Sequence, residues 1–200
     1  MIDVLLTHTA YLAGGFGTNL LISVLSMAIG TVIGAALGWL RARRVLGAGQ
    51  LAQLGTNVCR NVPSFVLLFY MASMIPSEVT ISGTIMAVPL WIKATLALTF
   101  PVIGFTSDQA RGYFEQRRTG ISGAGETFWV AWVQYFLIII MASATASVIG
   151  ADEIVGRANI LISQNESAQF LLVTYLYVSL WFLASGLVLT GLVRTLARVR

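Results

Sequence analysis

Few residues of this 200-residue chain could do chemistry, and most of its charged residues lie outside the long apolar runs. None of the eight acidic residues lies inside a run. A carrier driven by protons or sodium ions ordinarily needs ionisable groups or unwound helices near the membrane midplane. The sequence also has no phosphate-binding loop ending in Gly-Lys-Ser/Thr, and no Ser, His and acid constellation placed for nucleophilic attack. We therefore predict that the chain is not an enzyme and that any uphill transport is powered by a partner.

The single histidine and the single cysteine predict no further chemistry. His8 lies near the N-terminus without cysteine or acidic neighbours, so we expect a surface residue and not a metal ligand. Cys59 has no second cysteine to pair with, which excludes an intrachain disulfide. An inert thiol is the expected state of Cys59. We predict no metal site.

The apolar runs indicate an all-α integral membrane protein in one domain, residues 1–200. Hydrophobic residues make up 57% of the chain and charged residues only 10%, against about a quarter in soluble domains. The runs lack the alternation of barrel strands, and a spanning helix needs about 20 residues. We predict five transmembrane helices, from the runs Phe16 to Leu40, Val62 to Ile75, Ile85 to Gly104, Phe128 to Gly150 and Phe170 to Val193.

Prolines affect where the predicted helices of the second and third runs begin and end, and the third run also contains a lysine. The second run is long enough only if its helix begins near Val58, with Pro63 in the first turn. In the third run, Pro101 is expected to kink or stop the helix. Lys93 is expected to snorkel toward the membrane surface, and lining a substrate pathway is the alternative.

Arginines occur on every second loop and predict the orientation. By the positive-inside rule these loops are cytoplasmic, which places the N-terminus outside and the C-terminus inside. The same clustering at helix ends explains the net charge of +4 without nucleic acid. The cytoplasmic arginines are Arg41, Arg43, Arg44, Arg60, Arg111, Arg117, Arg118, Arg194, Arg198 and Arg200; the outer segments hold Asp3, Glu78, Asp152, Glu153 and Glu166.

Small residues mark two helix faces. The first run carries Ser26, Gly30, Gly34 and Gly38 at steps of four, a groove that another backbone can approach closely. Packing within the chain and packing against a second subunit both remain open. In the fourth run, Ser143 and Thr145 suit close packing or the lining of a pathway, and with Lys93 they are the candidate pathway residues.

Four segments together resemble the membrane-spanning subunits of ATP-binding cassette importers, in particular the polar amino-acid uptake group. The stretches TNLLISVLSMAIGTVIGAALGWLRA and CRNVPSFVLLFYMASMIP resemble that family's first helix and the Arg-x-x-Pro opening of its second. GFTSDQARG is similar to the stretch that leads into the cytoplasmic coupling loop, with Asp108 in place of a glutamate and with Arg111 and Gly112 matching. TASVIGADEIVGRA resembles the end of the next helix.

The resemblance implies a type I importer permease. Its partners would be a second permease subunit (a copy or a different chain), a cytoplasmic ATPase dimer that binds ATP and Mg, an extracytoplasmic solute-binding protein and lipid. This chain would need no cofactor and would reside in the bacterial inner membrane. The coupling loop would span about 105–127. It is shorter here than in the family, because this chain has only EQRRTGIS after Phe114 where the family has a longer insertion. The implied coupling residues are Asp108, Arg111, Gly112, Glu115, Arg117 and Gly120.

Three alternatives remain at this point. The arginine-rich loop could serve topology alone, since such loops are routine. A passive oligomeric channel or efflux facilitator would also lack midplane carboxylates. A non-transporting assembly subunit could use its glycine face to bind another membrane protein.

Overall fold

The structure is a computed structural model, and it describes residues 2–43, 47–81, 83–165 and 167–198. Arg44, Glu166 and Arg200, which enter the orientation argument, lie outside these residues. The described residues form helices, one 3₁₀ turn and one antiparallel hairpin. In chain order they are α1 (Ile2–Thr7), α2 (Thr9–Ala42), α3 (Ala48–Asn61), α4 (Ser64–Met74), β1 (Glu78–Ile81), β2 (Thr84–Ala87), α5 (Leu90–Arg118), α6 (Ala124–Ser143), the 3₁₀ turn (Ala144–Ile149), α7 (Ile154–Ser163) and α8 (Ala168–Arg198).

Four helices are long and apolar enough to cross a membrane: α2, α5, α6 with its 3₁₀ continuation, and α8 over Ala168–Gly191. The chain is thus an all-α, multi-pass membrane protein, but the prediction of five spanning helices is wrong by one. The second apolar run is divided, because α3 ends at Asn61 and α4 begins only at Ser64. Pro63 lacks the N–H needed to continue a helix and keeps Val62 extended, so a single helix from Val58 does not form.

The chain still runs the length of the bundle five times, because α3 and α4 together make the second passage. Arg41, at the end of α2, bonds to Gln53 of α3, while Lys93, near the start of α5, bonds to the carbonyl of Ile75 just after α4. The end of the bundle that holds Arg41, Arg60, Arg111 and Arg117 is termed the arginine end. The opposite end is termed the Glu153 end.

The small-residue face of α2 packs against α5 along most of its length. A Cβ added at Gly30 would lie 2.5 Å from Val102, and one added at Gly34 would lie 2.7 Å from the carbonyl oxygen of Ile103. At Gly38 the same atom would lie 2.6 Å from the carbonyl oxygen of Ser107. The glycines therefore serve the chain's own helix pair, since any larger side chain would push α2 and α5 apart.

The remaining connections differ from the sequence-based expectations. α5 continues through Pro101, at the cost of one backbone hydrogen bond, so the stretch 105–127 is mostly helix closed by a short turn. The outer segment after Pro76 forms the hairpin of β1 and β2, and the outer segment 151–169, which holds Asp152 and Glu153, contains α7. Ile154, Ala158 and Leu161 bury one face of α7 in a core that also contains Leu12, Phe16, Ile140, Phe170 and Val178.

Candidate functional site

The predicted coupling residues occupy the last turns of α5 and the turn that follows. Arg111 donates to Glu115 at 3.0 Å, one helical turn on, and both side chains are about 40% exposed. Arg117 donates to the hydroxyl of Tyr113 at 2.9 Å. Gly120 lies in the turn with a φ of 76°, a left-handed conformation that glycine adopts without steric cost. A charged, accessible corner therefore projects from the arginine end.

Gly112 and Asp108 lie on the same helix, but only Gly112 is open. A Cβ added at Gly112 would meet nothing within 4 Å. Asp108 is instead bound on both oxygens: Oδ1 is 2.9 Å from Nη1 of Arg41, and Oδ2 is 3.0 Å from Nη1 of Arg60. These ion pairs connect α2, α3 and α5, so Asp108 stabilises the packing of three helices within this chain.

Arg41 is the central residue of this ion-pair network, and only 5% of its side chain is exposed. Besides Asp108, its guanidinium donates to Oε1 of Gln53 at 2.9 Å and to Oγ of Ser107 at 2.8 Å. Thr56 shares a further hydrogen bond of 2.7 Å with Ser107. A buried charge is tolerated when its hydrogen-bonding capacity is used in this way, and the sequence argument, which assigned Arg41 to topology only, missed this role.

Lys93 is buried near the start of α5, and its role as a pathway residue stays a prediction. Only 3% of the residue is exposed, so it does not snorkel toward the membrane surface. Its Nζ donates to the carbonyl oxygens of Ala72 at 3.2 Å and Ile75 at 2.7 Å. These carbonyls belong to the C-terminal turn of α4, where they lack helical partners and carry the negative end of the helix dipole. Lys93 therefore caps α4.

The other two candidate pathway residues, Ser143 and Thr145, are not brought together with Lys93 by any described contact. Thr145 is exposed, and its hydroxyl donates to the carbonyl of Ala142 within its own turn at 2.6 Å. Ser143 is fully buried; its Oγ donates to the carbonyl of Ile140 and accepts from Asn19. Ser143 belongs to a polar cluster at the Glu153 end.

This cluster centres on Asn19 and Glu153, neither of which is exposed at all. The amide Nδ2 of Asn19 donates to Glu153 Oε2 at 2.9 Å and to Ser143 Oγ at 2.9 Å, and Oδ1 accepts from the backbone N–H of Ile154 at 3.1 Å. Glu153 also caps α7, accepting from the N–H groups of Val155 and Gly156. Burial raises the pKa of Glu153, and the hydrogen bonds it accepts oppose that shift.

A second contact holds α7 to α2 beside this cluster. Arg157 donates from Nη1 to the carbonyl of Tyr11 at 2.6 Å and pairs with Asp152 at 2.7 Å. The hydrogen bond from Arg157 lowers the pKa of Asp152. A Cβ added at Gly15 would lie 2.8 Å from the backbone nitrogen of Ile154, which shows how closely the two helices approach.

The sequence did not identify Asn19 as a site residue, and it assigned Glu153 only to an outer segment between apolar runs. One signal was available: Asn19 is an amide inside an apolar run, and a buried amide costs free energy unless it is hydrogen-bonded. Its partner was not predictable, because Glu153 is 134 positions away. Within the ranges that the structure describes, no group of three or more His, Cys, Asp or Glu residues could hold a metal ion.

Comparisons with known proteins identify the fold. No protein-family model matches the chain, and no curated protein matches it. A solved crystal structure described as an amino acid ABC transporter with histidines superposes with a TM-score of 0.80 at 17% sequence identity, covering 100% of this chain and 99% of that chain. The chain therefore has the fold of that transporter chain over its whole length, as the resemblance of the four sequence segments implied.

Proposed function

We propose that this chain is the transmembrane permease subunit of an ATP-driven importer for amino acids. The observation that carries the proposal is the end-to-end likeness in fold to a chain of an amino acid ABC transporter. Independent support comes from the charges, because the corner of Arg111, Glu115, Arg117 and Gly120 lies on the side that the positive-inside rule assigns to the cytoplasm.

The complex we propose supplies what this chain lacks. Two cytoplasmic ATPase subunits would bind ATP and Mg and hydrolyse the nucleotide, while this chain would hold no cofactor. A second permease subunit would complete the pathway, and an extracytoplasmic solute-binding protein would deliver the amino acid at the Glu153 end. The location would be the bacterial inner membrane, with the N-terminus outside and the C-terminus in the cytoplasm.

The contacts and exposure of the coupling residues support a smaller contact surface for the ATPase than the whole predicted set. Asp108 is engaged by Arg41 and Arg60, so it would transmit force within the chain instead of meeting the partner. The other five residues of the predicted coupling set are accessible: Arg111, Gly112, Glu115, Arg117 and Gly120. An ATPase cleft that closes on this corner would displace the inner end of α5, and alternating access would follow as one permease half rocks against the other.

Affinity purification from the native membrane tests the proposal. The tagged chain should retain an ATPase whose hydrolysis is stimulated by the solute-binding protein and an amino acid. Glu115→Lys should abolish retention of the ATPase, because it reverses the charge on the proposed contact surface. Glu78→Lys, the same reversal on an exposed residue at the opposite end, should leave it intact. Transport that persists after ATP depletion, or purification without any ATPase, would favour a passive channel or an assembly subunit.

A further inference from the structure

We infer that Asn19 is a positioning residue for transport: it locks α7 to α2, so that α7, at the Glu153 end, moves together with the coupling corner at the arginine end. The inference rests on the proposed function and adds to it the path by which movement crosses the membrane. It is carried by two buried polar clusters at opposite ends of one helix.

The first step is the lock at the Glu153 end. Asn19 uses three of the four hydrogen-bonding positions of its amide, and its partners lie on α6 and on the first turn of α7. All of these groups are buried, so breaking the bonds would leave polar atoms without water to replace their partners. Separating α7 from α2 would therefore be costly, whereas moving the two helices together would not.

The second step is the lock at the arginine end. Arg41 ties the end of α2 to Ser107 and Asp108 on α5, within two turns of the coupling corner. α5 contains the coupling corner itself, and its helix is unbroken from Leu90 to Arg118. A displacement of the corner is thus transferred to α2 through an ion pair in which Arg41 is buried and Asp108 is half-buried.

The third step concerns α2, the helix that connects the two polar clusters. Asn19 and Arg41 are both in α2 and are separated by about 33 Å at the rise of an α-helix, close to the thickness of the hydrocarbon core. Between them, Gly30, Gly34 and Gly38 let α2 approach α5 so closely that a Cβ added at any of these positions would clash with α5. These contacts assign the connection between the two ends of the bundle to α2 and α5.

Distance measurement by pulsed electron resonance tests the rigid connection. Spin labels would be placed at Asn159→Cys on α7 and Gln116→Cys on α5, in a Cys59→Ser background, within the complete complex. The distance between them should stay the same, within about 2 Å, when ATP and vanadate replace the nucleotide-free state, because a rigid body preserves its internal distances. A larger change in a complex that transports would overturn the inference and leave the proposed function standing.

Transport measurements test the role of Asn19. Asn19→Leu keeps the volume but removes the amide, so uptake per ATP hydrolysed should fall by about tenfold, within the range that single residues in such networks control. Basal ATP hydrolysis should be unchanged, which distinguishes lost coupling from lost protein. Asn159→Leu is the matched control on α7 itself, where the exposed amide meets only the hydroxyl of Tyr175. Equal uptake per ATP in Asn19→Leu and wild type would refute the assignment, and the label distances decide it if Asn19→Leu fails to assemble.

Discussion

At the scale of single residues, the sole lysine of the sequence stabilises the fold from a buried position. Lys93 supplies a cation and two hydrogen bonds to the C-terminal carbonyls of α4. Lys93→Met keeps the apolar stem and removes the ammonium, leaving both half-buried carbonyls without this donor. We expect a loss of about 1–3 kcal/mol in the free energy of unfolding, measured in detergent. Lys93→Arg retains a cation and should lose less; equal stability of Lys93→Met and wild type would contradict the capping role.

Two adjacent carboxyls outside the spanning helices should give opposite dependences of stability on pH. The pKa of Asp152 is lowered by Arg157, so its contribution is present above the unfolded pKa and is lost as pH falls through the folded pKa. The pKa of Glu153 is raised by burial, so its contribution is present below the unfolded pKa and is lost as pH rises through the folded pKa.

Unfolding midpoints between neutral and acid pH can separate these two contributions. Asp152→Asn should make the loss of stability on acidification shallower than in wild type, and Glu153→Gln should make it steeper. The effect at Asp152 should be small, because its side chain is 69% exposed and solvent screens the pair. If stability falls with pH equally steeply in both variants and in wild type, neither carboxyl is coupled to folding as its contacts indicate.

At the scale of elements, the pairing of α2 with α5 depends on residues that lack a side chain. Gly34→Ala would place a methyl group 2.7 Å from the Ile103 carbonyl oxygen and from Cβ of Thr106. Overpacking of this kind costs about 1–3 kcal/mol, which thermal unfolding in detergent would detect. Gly17→Ala is the matched control in the same helix, because nothing lies within 4 Å of its added Cβ. It should be neutral or stabilising by up to about 1 kcal/mol, since alanine favours helix.

Because of these contacts, a large substitution at Gly34 does not measure binding to another membrane protein. A leucine there would have tested docking on another membrane protein, had the glycine face been free. Because Gly34 packs against α5 within this chain, its loss would disturb the fold first. Complex formation is better tested at the exposed coupling corner.

How far the elements were predictable depends on the range of the interactions that form them. Long apolar runs are local signals, and they predicted α2, α5, α6 and α8 together with the packing stripe on α2. Pro63 and Pro101 are equally local signals, yet Pro63 lies in the break between α3 and α4 while α5 continues through Pro101, so a proline alone does not predict where a helix ends. The pairs of Asn19 with Glu153 and of Arg41 with Asp108 join distant parts of the chain, and no sequence periodicity encodes such partners.

At the scale of the whole molecule, the two buried polar clusters lie toward opposite ends of the helix bundle. A bilayer disfavours polar groups at its centre, so the placement of Asn19 and Arg41 about one hydrocarbon thickness apart on α2 is consistent with a single membrane position for the chain. This arrangement does not decide which end faces the cytoplasm. The proposal that the arginine end is cytoplasmic rests on the arginines, because the translocation of basic loops is disfavoured.

Accessibility of single cysteines to a membrane-impermeant maleimide tests this orientation. In a Cys59→Ser background, Glu78→Cys on the hairpin should be labelled in intact spheroplasts, because β1 lies at the Glu153 end, which we place outside. Arg117→Cys should be labelled only after the membrane is permeabilised, since the coupling corner must face cytoplasmic ATP. Both sites are on exposed or half-buried positions, so burial in the protein does not limit the reagent. The reverse pattern would place the corner outside, where no ATPase could engage it, and the importer proposal would fail with the orientation.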